Sequence, residues 1–513
     1  MSAAGFGRAL RAEWTKLRSV RAWMAGLGAG ALVTVLLGLL SAAGSHTSCG
    51  KDGVEVACPA PPVGPEGQAV SDRFYLVHRA LRGDGAITVR VTSMTGRIRR
   101  PDSTPGVRNE VSGLTPWAKA GVIVKESARQ GSAYAAVMVT AEHGVRMQHD
   151  YVHDVAGRPG RVSAGSPRWL RLTRSGDRLT GYESADGRQW SRVGAVELPG
   201  LPGTVRIGLF AASPGDVTVT RGDLGGAAVA ARFAQATATF DHVGLDGAGA
   251  GQSDDWRGDD LGVDLEADGT PHHPGGFTRS GDTFTVTGVG DIGPGTEGRT
   301  VESTLSGLPA GLIVLVVVAV VSVTSEYRRG LIRTSLAAVP GRGRLLAAKA
   351  AVIGAATFAA GLAAAAVSVV AGTRLLRGNG DVVLPVSAAT EARVVVGTAA
   401  LVAASSVLAL ALGALLRRGA AAVTAALAVT VLPYLLATAS VLPLDAARWL
   451  LRLTPAAGFA VEQSVPAYAH VLGHYAPQAG YFPLPPWAGL AVTCGYAALA
   501  LGLATLRLRR GDA

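Results

Sequence analysis

The sequence predicts an α-helical polytopic membrane protein, with six transmembrane helices and both termini in the cytoplasm. An all-β sandwich is inserted outside the membrane. Three observations predict this. Six stretches, 22–43, 306–324, 350–372, 394–416, 420–442 and 487–506, are apolar and hold no Asp, Glu, Lys, Arg or His. Each has about the 20 residues a helix needs to cross roughly 30 Å of hydrocarbon. Residues 44–305 between the first two stretches are polar, rich in Gly, Thr, Arg and Asp. Third, the net charge of +11 is unevenly distributed. Segments placed in the cytoplasm hold 16 Lys/Arg and 3 Asp/Glu, whereas the large insertion holds 27 and 30. Basic residues stay on the cytoplasmic side of a membrane protein, so this excess sets orientation. It gives no reason to expect nucleic acid as a partner.

Residues 1–43 form the first unit. Phe6, Leu10, Trp14 and Leu17 recur at helical spacing in FGRALRAEWTKLR (6–18), with Arg8, Arg11, Lys16 and Arg18 on other faces. This reads as an amphipathic helix at the membrane surface, serving either as a topology anchor or as a lever against a partner. The apolar run that follows is too long for a signal peptide's core, and the chain later returns to the membrane, so it reads as a retained anchor. Cys49 and Cys58 follow this span in an expected oxidising compartment, where a disulfide can close the short loop between them. Cys494 lies in the last span as a packing or lipid-facing residue.

Residues 44–305 form the second unit. From about 68 to 222, short alternating runs place Ile87, Val89 and Val91 on one strand face. Leu170 with Leu172, and Val205, Ile207 and Leu209, do the same, with Gly, Pro, Asn and Asp between the runs. That pattern is an antiparallel sandwich. Asp186-Gly187 supplies a tight hairpin turn and Trp190 begins the return strand. An acidic loop around 254–268 and a strand-rich tail to 305 follow, and the run 281–295 can close the same sandwich. Trp117, Tyr134, Trp169, Tyr182 and Trp190 can stack on sugars or pack in the core. His149 and His153 are spaced i, i+4 but lack the Glu of a zinc-binding HExxH pair and sit in strand-like sequence. The acidic run lacks the order of a calcium loop. No metal site, catalytic triad or catalytic carboxylate pair is expected, and the ligand of the insertion stays unknown.

Residues 306–513 form the third unit: spans two to six, a cytoplasmic loop 325–349, and an amphipathic run at 446–462 with Arg448 and Arg452, broken at Pro455. Carriers coupled to protons or sodium usually need an ionisable group at membrane depth. These spans hold none, so the energy source is expected on another chain. The sequence has no GxxxxGK[ST] phosphate loop, so ATP would be bound by a partner and no cofactor by this chain.

The stretch TSEYRRGLIRTSLAAVPGRGRLLAAKA resembles the loop between the second and third spans of actinobacterial ABC-2 type transporter permeases. RALRAEWTKLRSVR is similar to the N-terminal interface helix of that family. The resemblance covers roughly 1–43 and 300–513. It implies that Glu326, Tyr327, Arg328, Arg329, Gly330 and Arg333 belong to the region coupled to a separate ATPase subunit. It implies that Trp14 and Lys16 belong to the interface helix, that 446–462 forms short helices outside the membrane, and that the chain works as a homodimer or with a second permease chain in the cell membrane. The insertion of about 260 residues departs from the family's short first outer loop. SDRFYLVHRALRGDGAITVRV, KAGVIVKES and SPRWLRLTRSGDRLTGYESADGRQW resemble concanavalin A-like jelly rolls of the laminin-G kind, which often bind glycans. The function implied is export driven by a partner's ATP hydrolysis, with no enzyme activity in this chain. A second reading is a membrane-anchored protein that binds or senses glycans. A third is a membrane-bound glycan hydrolase, for which no catalytic pair speaks.

Overall fold

The computed structural model describes residues 3–51, 54–56, 58–100, 109–221, 227–247, 255–263, 272–331 and 341–510. Its helices are α1 (Ala3–Ser19), α2 (Arg21–Ala43), α3 (Leu308–Arg328), α4 (Arg342–Gly378), α5 (Ala388–Leu416), α6 (Gly419–Thr438), α7 (Leu444–Leu453) and α8 (Pro486–Arg510). Six of them, α2 to α6 and α8, are long and apolar enough to cross a membrane. They overlap the six apolar windows, but the helices and the windows differ at their ends. α4 has 37 residues, about 56 Å at 1.5 Å per residue, so it extends well beyond a hydrocarbon core. α6 stops at Thr438, short of the expected 442, and Ser440 adopts a φ of +59°. The expected loop 325–349 is largely helical at both ends, because α3 runs to Arg328 and α4 starts at Arg342. Residues 332–340, with Arg333 among them, lie outside the described residues.

Small residues bring α2 and α3 together. A Cβ on Gly311 of α3 would collide with Thr34 Oγ1 of α2, and one on Gly30 of α2 with the Leu315 side chain of α3. Close backbone approach of this kind replaces the hydrophobic drive that lipid-embedded helices lack. The expected outer helices are α7 and a 3₁₀ turn at Pro455–Glu462. The helix stops just before Pro455, which has no N–H to continue it.

Two antiparallel sheets build the inserted sandwich. The first orders its strands His153–Ala156, Val145–His149, Tyr134–Thr140, Lys119–Lys125, Thr204–Ala212, Phe74–Arg82 and Arg257–Leu261. The second orders them Ser191–Glu197, Arg178–Ser184, Arg168–Ser175, Gly85–Arg99, Ala234–Gly247, Thr283–Val289 and Gly276–Ser280, with Glu110–Ser112 also on Gly85–Arg99. Ile87, Val89, Val91, Leu170, Leu172, Val205, Ile207 and Leu209 all face the core between the sheets. The first sheet is also covered on its other face, where Phe74, Ile123, Tyr134, Met138 and Phe210 make a second core. Lys119–Lys125 and Tyr134–Thr140 are therefore buried along their whole length, which accounts for their nearly unbroken apolar sequence.

The boundary expected at 222 needs correction. Ala234–Gly247 pairs with Gly85–Arg99 in the middle of the second sheet, so the sandwich extends to about residue 294. This strand buries Ala234, Ala236, Ala238 and Phe240. Alanine alternating with threonine is a weak strand signal, and the sequence pattern passes over it. Part of the expected acidic loop is also a strand, since Arg257–Leu261 pairs with Phe74–His78. Residues 281–295 do close the sandwich: Thr283–Val289 pairs with Ala234–Gly247.

The sandwich sits on the end of the bundle where α2 ends and α3 begins. The Arg299 N–H donates to Val382 O at 2.7 Å, and Thr47 Oγ1 donates to Asp381 Oδ1 at 2.7 Å. His470, from the segment between α7 and α8, reaches the Tyr151 carbonyl at 3.0 Å and meets Trp117 edge-on. Just inside this face, Lys125 Nζ lies 2.7 Å from Asp72 Oδ2, and the Tyr151 hydroxyl donates to the same oxygen at 2.7 Å. All three side chains are fully buried.

Candidate functional site

At the far end of the bundle, four charged side chains from three helices form a knot. Ala9, Glu13 and Leu17 recur every four residues on α1 and form its buried face, because positions i and i+4 stack on one side of a helix. This differs from the expected stripe. Leu17 is buried as expected, but Phe6 and Trp14 are exposed, Trp14 by 44%. The helix is turned so that the Glu13 carboxylate faces the bundle rather than solvent.

The reason is Lys349, near the start of α4. Its Nζ lies 2.6 Å from Glu13 Oε2 and 2.8 Å from Glu326 Oε1 at the end of α3. Lys16 closes the knot, with Nζ 2.9 Å from Glu13 Oε1 and 3.4 Å from Glu326 Oε1. Glu13, Glu326 and Lys349 are each about 5% exposed, whereas Lys16 is 38% exposed. Two carboxylates face two ammonium groups, so the cluster is neutral. Burial works against the Lys16 ammonium. Hydrogen bonding and charge from Glu13 and Glu326 outweigh burial and raise its pKa above the usual lysine value. Buried ion pairs of this kind contribute little net stability over an apolar core, but losing one partner is costly.

The expected coupling residues therefore separate. Glu326 is turned inward, where it joins Lys349 of α4 and Lys16 of α1. Tyr327 is half-buried beneath the Arg417 guanidinium, 5.3 Å from the ring centroid. Arg328, Arg329 and Gly330 are exposed, and Gly330 ends the helix with a φ of +69° in open space. Trp14 is exposed on α1, and Lys16 lies between the knot and the surface. Exposed Arg8, Arg11, Arg18, Arg328 and Arg329 give this end a basic outer face. Glu13 and Lys349 were missed because each lies in a run that reads as a surface helix or a basic flank. A carboxylate four residues from buried Ala9 and Leu17 was the available signal.

Other expected residues take structural places. Cys49 and Cys58 are joined by a disulfide, their Cα atoms 5.0 Å apart. Tyr134 is fully buried in the sandwich, and Trp117 is buried with its ring stacked 3.9 Å from His143. Neither is therefore available to a sugar. Trp169 and Trp190 lie under Arg90 and Arg171 respectively, and Tyr182 is half-buried. His149 and His153 stack ring on ring at 4.4 Å across a hairpin, and His153 pairs with Glu66. Among the described residues no three metal-binding side chains converge. Asp186 accepts from the N–H groups of Gln189 and Arg188, which holds its carboxyl down at about 2 and locks the hairpin turn.

No family model matches the chain, and no curated protein matches it. Some solved structures are similar to part of it. A functionally unknown protein from Saccharomyces cerevisiae is 13% identical at a TM-score of 0.23, covering 37% of this chain and 84% of that one. Scytalido-glutamic peptidase, bound to a transition state analog inhibitor, is 8% identical at a TM-score of 0.26, covering 42% of this chain and 98% of that one.

Proposed function

We propose that this chain is the membrane-spanning permease subunit of an ABC-2 type exporter, placed in the cell membrane with both termini in the cytoplasm. It pairs with a second copy or another six-span chain, and a separate ATPase subunit binds and hydrolyses ATP. The concanavalin A-like sandwich lies outside the cell. The observation that carries this reading is the knot of Glu13, Lys16, Glu326 and Lys349. It fastens a surface helix to the ends of two membrane-crossing helices. A push on the exposed side of α1, or on Arg328 and Arg329, would reach α3 and α4 through short buried bonds. The resemblance of 324–350 to permease coupling loops points to the same place.

Co-purification from detergent with an ABC-type ATPase co-expressed from the same source tests the reading. Arg328→Ala with Arg329→Ala should weaken capture of the ATPase. Glu326→Gln should leave capture largely intact and uncouple ATP hydrolysis from transport, because Glu326 is buried. Undiminished capture by the double arginine variant would remove the coupling assignment. Oligosaccharide binding with no ATPase partner would favour the membrane-anchored sensor instead.

A further inference from the structure

The second sheet of the sandwich has a gap in its strand pairing. Gly85–Arg99 is flanked on one side by Ala234–Gly247 along most of its length. On the other side two shorter strands share it. Arg168–Ser175 pairs with it only as far as Val91, and Glu110–Ser112 only from Arg97 on. The Gly113 N–H adds one more bond, donating to Gly96 O at 3.0 Å. Among the described residues no strand lies against 92–95 on this side.

Hydrogen-bond parity fixes which groups face the gap, because successive residues of an antiparallel strand bond to opposite sides. The Arg99 N–H donates to Phe233 O at 2.9 Å, so the odd-numbered residues of this stretch bond towards Ala234–Gly247. The even-numbered ones bond the other way: Gly96 O accepts from Gly113, and the Arg100 N–H donates to Asn109 O at 2.7 Å. Met94 stands opposite Ala238. By this parity its N–H and C=O both point into the gap. The side chains alternate too. The register shifts between Val91 and Ser93, which moves the inward face from Ile87, Val89 and Val91 to Met94. Met94 packs with Leu114 on buried Ala118, Ala141 and Ala236. Met94, Leu114, Ala141 and Val162 line a cleft of about 490 Å³. Glu142 and Arg161, exposed and paired at 2.9 Å, also border it.

We propose that this cleft binds an extended peptide segment of another polypeptide, which completes the second sheet between the two shorter strands. Main chain is the occupant that fits Met94. An extended residue offers one N–H and one C=O on the same edge, at the spacing that the two groups of Met94 require. The residue opposite Met94 carries its side chain on the same face of the sheet. That side chain enters the cleft over Leu114 and Ala141 and is therefore apolar. Its two neighbours point outward beside Ser93 and exposed Thr95, and are polar. Only a short stretch pairs, because Ser112 and Arg168 close the gap at its ends. The inference goes beyond the permease reading and does not rest on it.

Amide hydrogen exchange of the full chain in detergent tests it, with blocked synthetic pentapeptides Thr-Thr-X-Thr-Thr at millimolar concentration, where X is Ala, Val, Leu, Phe or Asp. At least one apolar peptide should slow exchange of the Met94 amide, by about tenfold once it stands roughly tenfold above its Kd. N-methylation of X in that peptide removes the donor to Met94 O and should abolish the effect. The Asp peptide should have none, since its carboxylate would enter an apolar cleft. Ala141→Phe fills the cleft and should abolish protection as well. The N-methylated control uses the wild-type chain, so it decides even if Ala141→Phe fails to fold. No slowing by any apolar peptide, or equal slowing by the N-methylated or the Asp peptide, would overturn the proposal.

Discussion

Replacing Lys349 by methionine removes the ammonium that bridges Glu13 and Glu326 while keeping the volume of the side chain. Both carboxylates, each about 5% exposed, then depend on Lys16. Breaking a buried ion pair by removing one partner costs about 3–5 kcal/mol, because the remaining charge stays buried. Lys16 is already in place at 2.9 and 3.4 Å, but it is 38% exposed. A partly exposed pair offsets roughly 1 kcal/mol at most. The net loss expected is therefore about 2–4 kcal/mol. For a unit the size of the helical bundle, 1 kcal/mol moves the midpoint by roughly 2–4 °C, so Lys349→Met should lower the thermal midpoint of the purified chain by roughly 5–15 °C. A triple variant, Lys349→Met with Glu13→Gln and Glu326→Gln, removes the three buried charges and leaves only the partly exposed Lys16, so it should recover most of that loss, since replacing a buried ionic cluster by neutral side chains is close to neutral. A single variant as stable as the wild type would refute the reasoning. So would a triple variant no better than the single one, because the loss would then come from packing rather than unpaired charge.

Two more outcomes follow from buried charge elsewhere. Lys125→Met strands the fully buried Asp72 carboxylate and should cost the sandwich about 3–5 kcal/mol, read as earlier cleavage in limited proteolysis of the full chain; Lys125→Met with Asp72→Asn should be milder. Glu302 and Glu462 have raised folded pKa values, so the folded chain binds more protons than the unfolded one once pH passes the usual glutamate range. The stabilisation is complete below that range and declines as pH climbs, by up to about 1.4 kcal/mol per pH unit for each proton. Glu462→Gln should flatten this slope in midpoints measured against pH.

Much of the architecture was legible because burial in lipid and burial in a β-sandwich leave different periods. Runs of about 20 apolar residues without charge mark crossing helices, and alternation at 87, 89 and 91 marks a half-buried strand. Ala234–Gly247 was not legible. Its inward residues are mostly alanine, and its value lies in pairing with Gly85–Arg99, a contact across the chain rather than along it. Arg257–Leu261 was obscured by its acidic neighbours, which read as a solvated loop. At the far end of the bundle, Arg328 and Arg329 are singled out by the family resemblance and are exposed, whereas helical spacing puts Trp14 on an apolar stripe that the structure turns to the surface. The inward turn of Glu326 was not legible, since a glutamate beside two arginines reads as surface.

The sequence by itself determined the two environments of the chain: six apolar helices and one large polar insertion of alternating strands. It could do so because hydrophobic length and period are local properties. The charge asymmetry along the chain likewise stands on the sequence alone. Only the tertiary structure decided which charges face each other. Glu13 meets Lys349, and through it Glu326, because α1 folds back on α4, and Lys125 meets Asp72 because the strand Lys119–Lys125 packs beneath residue 72. These meetings depend on long-range packing, and a charge bears no local mark of whether its partner is water or another buried side chain.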